Sequence, residues 1–231
     1  MKIIGMIGGI GPESTIDYYR RLLEGAQKRN PGGPAPSIII NSIDLQKGLA
    51  LLGANQLSEL TEYIVPEVMR LHRAGTEFGF LAANSPHIVF YDIARRSPIP
   101  LVSIVEATCV SAKARGFKKL GLLGTRFTMH GSFYPGVFSC DGLELIVPTA
   151  DEQDYIHDKY INQLIPGKFL PETRDGLLAI ATRMKEQDGI QALVLGGTEL
   201  PLILTDSSLL GIPFLDTTQI HVDAIVERAM V

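Results

Sequence analysis

Cysteine is scarce in this chain: Cys109 and Cys140 are its only two. Two isolated thiols supply neither a disulfide framework nor a metal cluster, and reduced thiols are their expected state. No pair of histidines has metal-ligand spacing with a nearby carboxylate, so no metal is expected. An excess of basic residues is missing as well. The 21 Lys and Arg against 25 Asp and Glu leave a formal net charge of −4, which argues against nucleic acid as a partner. Long apolar runs are missing too. No stretch approaches a membrane span, and the N-terminus enters a strand pattern at once, with no signal-peptide pattern. The chain is therefore expected to be cytoplasmic, with no membrane partner.

What is present is an ordinary globular composition, 45% hydrophobic and 20% charged over 231 residues, enough to bury a full core. The pattern centres on Phe78-Gly79-Phe80-Leu81-Ala82-Ala83-Asn84-Ser85-Pro86-His87. An apolar run that turns into Asn, Ser and Pro predicts a buried strand whose C-terminal end opens onto a helix. In an open α/β sheet that corner is where ligands bind. The corner is echoed half a chain later in Ala192-Leu193-Val194-Leu195-Gly196-Gly197-Thr198-Glu199-Leu200-Pro201, with Ala83 aligned to Gly197, Asn84 to Thr198 and Ser85 to Glu199. Lys2 to Gly8 is echoed by Lys119 to Gly124 at nearly the same offset. Two such echoes point to an internal duplication, which favours two small domains over one large one.

Strands are expected at Ile3–Ile7, Ser37–Asn41, around Phe80, Leu101–Ile104, Leu120–Leu123, Leu143–Val147 and around Val194. Helical spacing of Ile16, Tyr19, Leu22, Leu23 and Ala26 marks the first helix, and residues 42–48 read as a long exit loop. Leu57, Leu60, Ile64, Val68 and Leu71 mark another helix, with a kink or break expected at Pro66. Alternating strands and helices predict parallel sheets with right-handed crossovers. The turn Gly8-Gly9-Ile10-Gly11-Pro12-Glu13-Ser14 is no dinucleotide fingerprint, because Ser14 stands in the place of the third glycine. It reads instead as a tight turn whose backbone lines a small-molecule pocket.

Five segments together resemble the aspartate/glutamate racemase family: Gly8-Gly9-Ile10-Gly11-Pro12-Glu13-Ser14-Thr15, Asn84-Ser85-Pro86-His87, Gly124-Thr125-Arg126-Phe127-Thr128-Met129, Pro148 with Asp151-Glu152-Gln153, and Gly197-Thr198-Glu199-Leu200-Pro201. They run in order over essentially the whole chain. The resemblance implies an α/β fold of two similar lobes, each a parallel sheet flanked by helices. The last segment returns to the first lobe, giving residues 1–98 plus 206–231 for one lobe and 99–205 for the other. It also implies a site between the lobes for a small amino acid or carboxylate, a homodimer, and cofactor-independent inversion at the α-carbon. One thiol removes a proton while another delivers one to the opposite face.

The family's register puts those thiols at positions 83 and 197, and here Ala83 and Gly197 stand there. Neither residue can accept or give a proton, so thiol-based racemisation is not expected. Glu199 is the fallback acid/base, since a carboxyl group in an apolar cleft can have its pKa raised. Substrate contacts are expected from Gly9, Ile10, Asn84, Ser85, Thr128 and Thr198. Cys109 and Cys140 are expected in or beside helices away from both corners, as small buried residues. His87 reads as a hydrogen-bonded structural residue, and His72 and His221, on helices, as ordinary surface or packing residues. His130 and His157 are candidates to reach the site, and Arg126 and Lys47 are candidate carboxylate partners. The competing readings are a non-catalytic binder of small molecules, or a lyase or isomerase that uses another base.

Overall fold

A computed structural model describes all 231 residues. Its first sheet is built from apolar runs too short and too continuous for helices: β1 (Ile4–Gly8), β2 (Ile38–Ser42), β3 (Phe78–Leu81) and β4 (Leu101–Val102). Every residue of β1 and β3 is buried. Strands covered on both faces read as unbroken hydrophobic stretches, the mark of a parallel sheet inside helical layers. The helices in this part of the chain are α1 (Pro12–Arg29), α2 (Leu45–Gly53), α3 (Leu57–Arg73), α4 (Phe90–Arg96) and α5 (Ile104–Ala114). The second half contains β5 (Lys119–Gly124), α6 (Arg126–His130), α7 (Phe133–Cys140), β6 (Glu144–Ile146), α8 (Ala150–Lys159), α9 (Pro171–Arg183), β7 (Ala192–Gly196), α10 (Leu200–Ile203), β8 (Phe214–Asp216) and α11 (Thr217–Met230).

The strand orders are β2-β1-β3-β4 and β6-β5-β7-β8, with parallel neighbours throughout. One topology occurs twice, and the echoed sequences fall on matching strands: β1 with β5, and β3 with β7. In both sheets the chain reverses its direction of winding between the two central strands. That topological switch point leaves a crevice at the C-terminal strand ends.

The chain divides into two compact units, Met1–Ile104 with Thr218–Val231, and Val105–Thr217. These limits differ from the expected 98/99 and 205/206. β4 hydrogen-bonds to β3, so it stays in the first unit, and β8 pairs with β7, so Phe214–Asp216 belongs to the second. The first unit's core joins Ile4, Met6, Phe78 and Phe80 of the sheet to Tyr18, Leu22 and Ala26 of α1 and Val222, Ile225, Val226 and Ala229 of α11. The second unit's core packs Leu123, Leu193 and Leu195 against Ile156, Tyr160, Leu164, Leu177, Ala181 and Met184.

Three local expectations are corrected. Residues 42–48 are not all loop: α2 starts at Leu45 because the Asp44 side chain accepts from the Gln46 N–H at 2.8 Å and caps it. α3 runs unbroken through Pro66. Pro66 and Glu62, whose carbonyl loses its partner, are both exposed, so water can satisfy that carbonyl. Finally, α1 buries Ser14, Tyr18, Leu22, Gly25 and Ala26, whereas Ile16 and Tyr19 are 54% and 45% exposed. The buried stripe is rotated from the expected one because it includes small residues that pack closely.

Candidate functional site

In the first unit, β1 and β3 are neighbours with Ile7 paired to Leu81, so the turns that follow them emerge side by side. That brings Gly9 and Ile10 together with Ala83, Asn84 and Ser85. Gly9 has φ +80°, and a Cβ there would stand 2.7 Å from the Ile43 nitrogen and 2.6 Å from the Ser42 Oγ. Only glycine fits this turn. The Gly9 N–H donates to Thr15 Oγ1 at 2.9 Å, and the Thr15 hydroxyl donates to the Gly11 carbonyl at 3.1 Å. The Gly9 amide is thus engaged within the turn.

After β3 the chain makes a single 3₁₀ turn, Ser85–Val89, before α4. Asn84 is buried and its side chain does not cap that turn. His87 holds the corner from below. Its Nδ1–H donates to the Ala83 carbonyl at 2.9 Å, and Nε2 accepts from the Ile104 N–H at 3.3 Å. These partners fix one neutral tautomer, and the ring stacks on Phe90 at 4.8 Å between centroids. Burial drives the His87 pKa down to about 4. His221 is also fully buried, the packing alternative of the two: its Nε2–H donates to the Val102 carbonyl at 3.0 Å and its Nδ1 accepts from the Tyr18 hydroxyl at 2.9 Å. Burial, reinforced by His87, pushes its pKa down to about 3.

In the second unit Gly124 and Gly196 are register partners at the ends of β5 and β7. A Cβ on Gly124 would lie 2.9 Å from the Thr128 Cβ, so the two glycines let α6 settle directly on the strand ends. Thr125 caps α6 by accepting from the Thr128 N–H. This close packing brings Thr128 to the same end of the sheet as Gly197, Thr198 and Glu199.

The second corner contains a residue that the sequence pattern did not single out. Tyr160, fully within the core, donates its phenolic proton to Glu199 Oε2, and its oxygen accepts from the Glu199 N–H at 3.2 Å. The Thr198 hydroxyl donates to the same carboxylate oxygen at 3.1 Å. Burial, with Glu199 adding to it, holds the phenol's pKa well above its ordinary value. The tyrosine ring also fills the space beside Gly197. A Cβ on that glycine would stand 2.6 Å from Cε2 and 2.7 Å from Cζ, and closer still to the hydroxyl. The φ of Gly197 is not positive, so glycine is required there by volume and not by backbone conformation. Tyr160 lies far from the corner in sequence. Its one local signal is its position at the end of the amphipathic α8.

The remaining candidates have partners of their own. Cys109 is buried in α5, donates to Asp141 Oδ2 at 3.5 Å, and has its pKa raised to about 11, first by burial and then by Asp141. A thiol so held is a poor nucleophile or base. Cys140 ends α7 and is exposed rather than buried. Arg126 pairs with Asp154 at 2.7 Å on the surface, and the exposed Lys47 lies over the Tyr63 ring at 4.4 Å. His130 and His72 are exposed, while half-buried His157 accepts from the Arg126 N–H at 3.2 Å. No group of three or more His, Cys, Asp or Glu is placed to hold a metal ion. No helix is long and apolar enough to cross a membrane.

The same arrangement is found in proteins of known structure. The chain is 31% identical to a candidate Asp/Glu racemase from Yersinia pestis, with a TM-score of 0.90 and 100% of both chains covered. It is also 31% identical to an aspartate racemase homologue from Pyrococcus horikoshii OT3, with a TM-score of 0.85 and 100% of both chains covered. A broad specificity amino-acid racemase of Bacillus subtilis (strain 168) is 24% identical over 176 residues, 71% of this chain and 69% of that protein. Residues 7–225 match the family described as Asp/Glu/Hydantoin racemase. The doubled four-strand topology and a family match over nearly its full length agree: the chain belongs to the Asp/Glu/Hydantoin racemase family.

Proposed function

We propose that this protein takes a small amino acid or related carboxylate as its ligand and acts at the α-carbon without a pair of thiols. Asn84 and Ser85 at one corner and Thr128 and Thr198 at the other are the proposed ligand contacts, with backbone from Gly9 and Ile10 close by. The observation that carries the reading is the pair of positions 83 and 197. Ala83 offers a methyl group, and the side-chain space of Gly197 is filled by the Tyr160 phenol. Family membership supports the ligand class, and the B. subtilis relative, named for broad specificity, supports substrates beyond aspartate and glutamate. Polar groups buried at the C-terminal ends of the switch-point strands are suited to an anionic, hydrogen-bonding ligand.

Calorimetric titration with L- and D-glutamate, L- and D-aspartate and L-alanine tests the binding. Chiral chromatography of the same mixtures tests turnover. Saturable binding with slow or no inversion is the expected result. No binding of any of these amino acids removes the reading, and fast inversion that is lost in Cys109→Ala or Cys140→Ala removes the claim that the chemistry runs without thiols. Self-association into a homodimer and a cytoplasmic location are part of the same proposal. The exposed apolar pair Ile16 and Tyr19 on α1 and the two unpaired cysteines support them, and sedimentation equilibrium tests the first.

A further inference from the structure

We infer that the Tyr160 hydroxyl is the proton-transfer group of the second corner and that it works as a relay to Glu199. The inference rests on the ligand class proposed above and adds a residue and a stereochemical outcome to it.

Three observations converge. First, the phenol lies in the volume that any side chain at position 197 would enter, so an ionisable oxygen takes the place the family's register gives to a thiol. Second, that oxygen is wired for proton movement. It donates to Glu199 Oε2 and accepts from the Glu199 N–H at 3.2 Å, while Thr198 donates to the same carboxylate oxygen at 3.1 Å. Third, Tyr160 opens a π-helical turn, Tyr160–Leu164, directly after α8. Single π turns within helices re-aim a side chain and occur often at functional sites.

A phenol alone is a poor base near neutral pH, and burial beside a carboxylate disfavours the phenolate further. A relay avoids that anion. As the phenolic oxygen takes the α-proton, its own proton passes to Glu199 Oε2. The Cα–H bond breaks, and its electron pair stays on the α-carbon and spreads into the adjoining carboxylate. Glu199 becomes neutral, the substrate gains one negative charge, and the tyrosine ends as it began. In the carbanion state the former α-hydrogen sits on the phenolic oxygen; its exchange with solvent there, before the return step runs backwards, puts a solvent hydrogen on the α-carbon. No oxidant, metal or second reactant enters the balance. With Tyr160 as the one proton-transfer group in the step, the carbanion is reprotonated on the face from which it was formed. The outcome is α-hydrogen exchange with retention, running ahead of inversion.

The test is proton NMR of L-glutamate, D-glutamate, L-aspartate and L-alanine in deuterium oxide with the full chain, beside chiral chromatography of the same samples. Loss of the α-proton signal with the enantiomer preserved is the expected result. Tyr160→Phe lowers the exchange rate by about a hundredfold or more, the usual scale of a lost acid/base group. Its calorimetric affinity for the same amino acid changes far less. Glu199→Gln lowers exchange comparably. Should Tyr160→Phe fail to fold, replacing the phenol by its 3-fluoro analogue keeps the shape but makes the hydroxyl more acidic, and the rate of exchange must then change. Three results overturn the inference: binding by the natural chain without exchange, unchanged exchange in folded Tyr160→Phe, or an unchanged exchange rate with the fluorinated ring. Absence of binding by every one of the four amino acids overturns instead the ligand class on which it rests.

Discussion

The ring of Tyr160 stands where a side chain on Gly197 would project, with Cε2 and Cζ 2.6 Å and 2.7 Å from the position of a Cβ. This one relationship explains why a glycine with an ordinary backbone follows β7. It also means that a thiol cannot be restored there by a single substitution.

Gly197→Cys is expected to destabilise the protein by about 1–3 kcal/mol through overpacking, and to create no thiol-dependent exchange. Urea unfolding gives the first quantity and exchange NMR the second. Gly136→Ala is the control, because a Cβ on Gly136 meets nothing within 4 Å. It lies inside α7 and should hold or raise stability by up to about 1 kcal/mol. Equal unfolding midpoints for the two variants would mean that the tyrosine moves aside freely.

Gly9→Ala tests the turn after β1. With φ +80° and the Ile43 backbone in the way, the substitution is expected to cost at least about 1–3 kcal/mol of strain. Thermal unfolding should show a clear drop, and amide exchange should show loosening centred on Gly9 to Thr15.

The buried imidazoles set an acid limit. Both are neutral in the fold, with pKa values of about 4 for His87 and about 3 for His221. Below the ordinary histidine pKa of about 6.5 the unfolded chain binds more protons, so stability falls as pH drops through that value. The loss continues to about pH 4 for His87 and reaches on the order of 3 kcal/mol for that residue alone. Urea midpoints at pH 7 and pH 5 measure it above the range where carboxylates titrate. A midpoint that does not fall between them contradicts the neutral assignment.

Asn84→Ala is expected to weaken a bound amino acid by about 1–3 kcal/mol if its amide holds the ligand. Titration with L-glutamate at pH 7 is the measurement, and unchanged affinity removes Asn84 from the site.

The doubled sheet was legible because buried parallel strands carry their own signal: β1, β3, β5 and β7 are short apolar runs, and the glycine or Asn-Ser that follows each marks its exit. The corners were legible for the same reason. Tyr160 was not, because its role depends on a contact with Gly197 and Glu199 made across the fold, and an aromatic residue at the end of an amphipathic helix reads as core. The hydrogen bonds of His221 were hidden on similar grounds, since its partners Tyr18 and Val102 come from distant segments. The stripe of α1 was misplaced because Ser14 and Gly25 are buried by close packing, which no hydrophobic period reveals. The early start of α2 depends on a single capping side chain, Asp44, easily passed over inside a polar loop.

The first unit draws one wall of its core from α11, through Val222, Ile225, Val226 and Ala229. During synthesis, therefore, the half that leaves the ribosome first is the half that must wait. Ile4, Tyr18 and Phe80 remain uncovered on that side until the final helix is released, while the second unit, contiguous from Val105 to Thr217, has all of its chain beforehand. Maturation order is thus inverted relative to chain order, and removing α11 strikes the first unit.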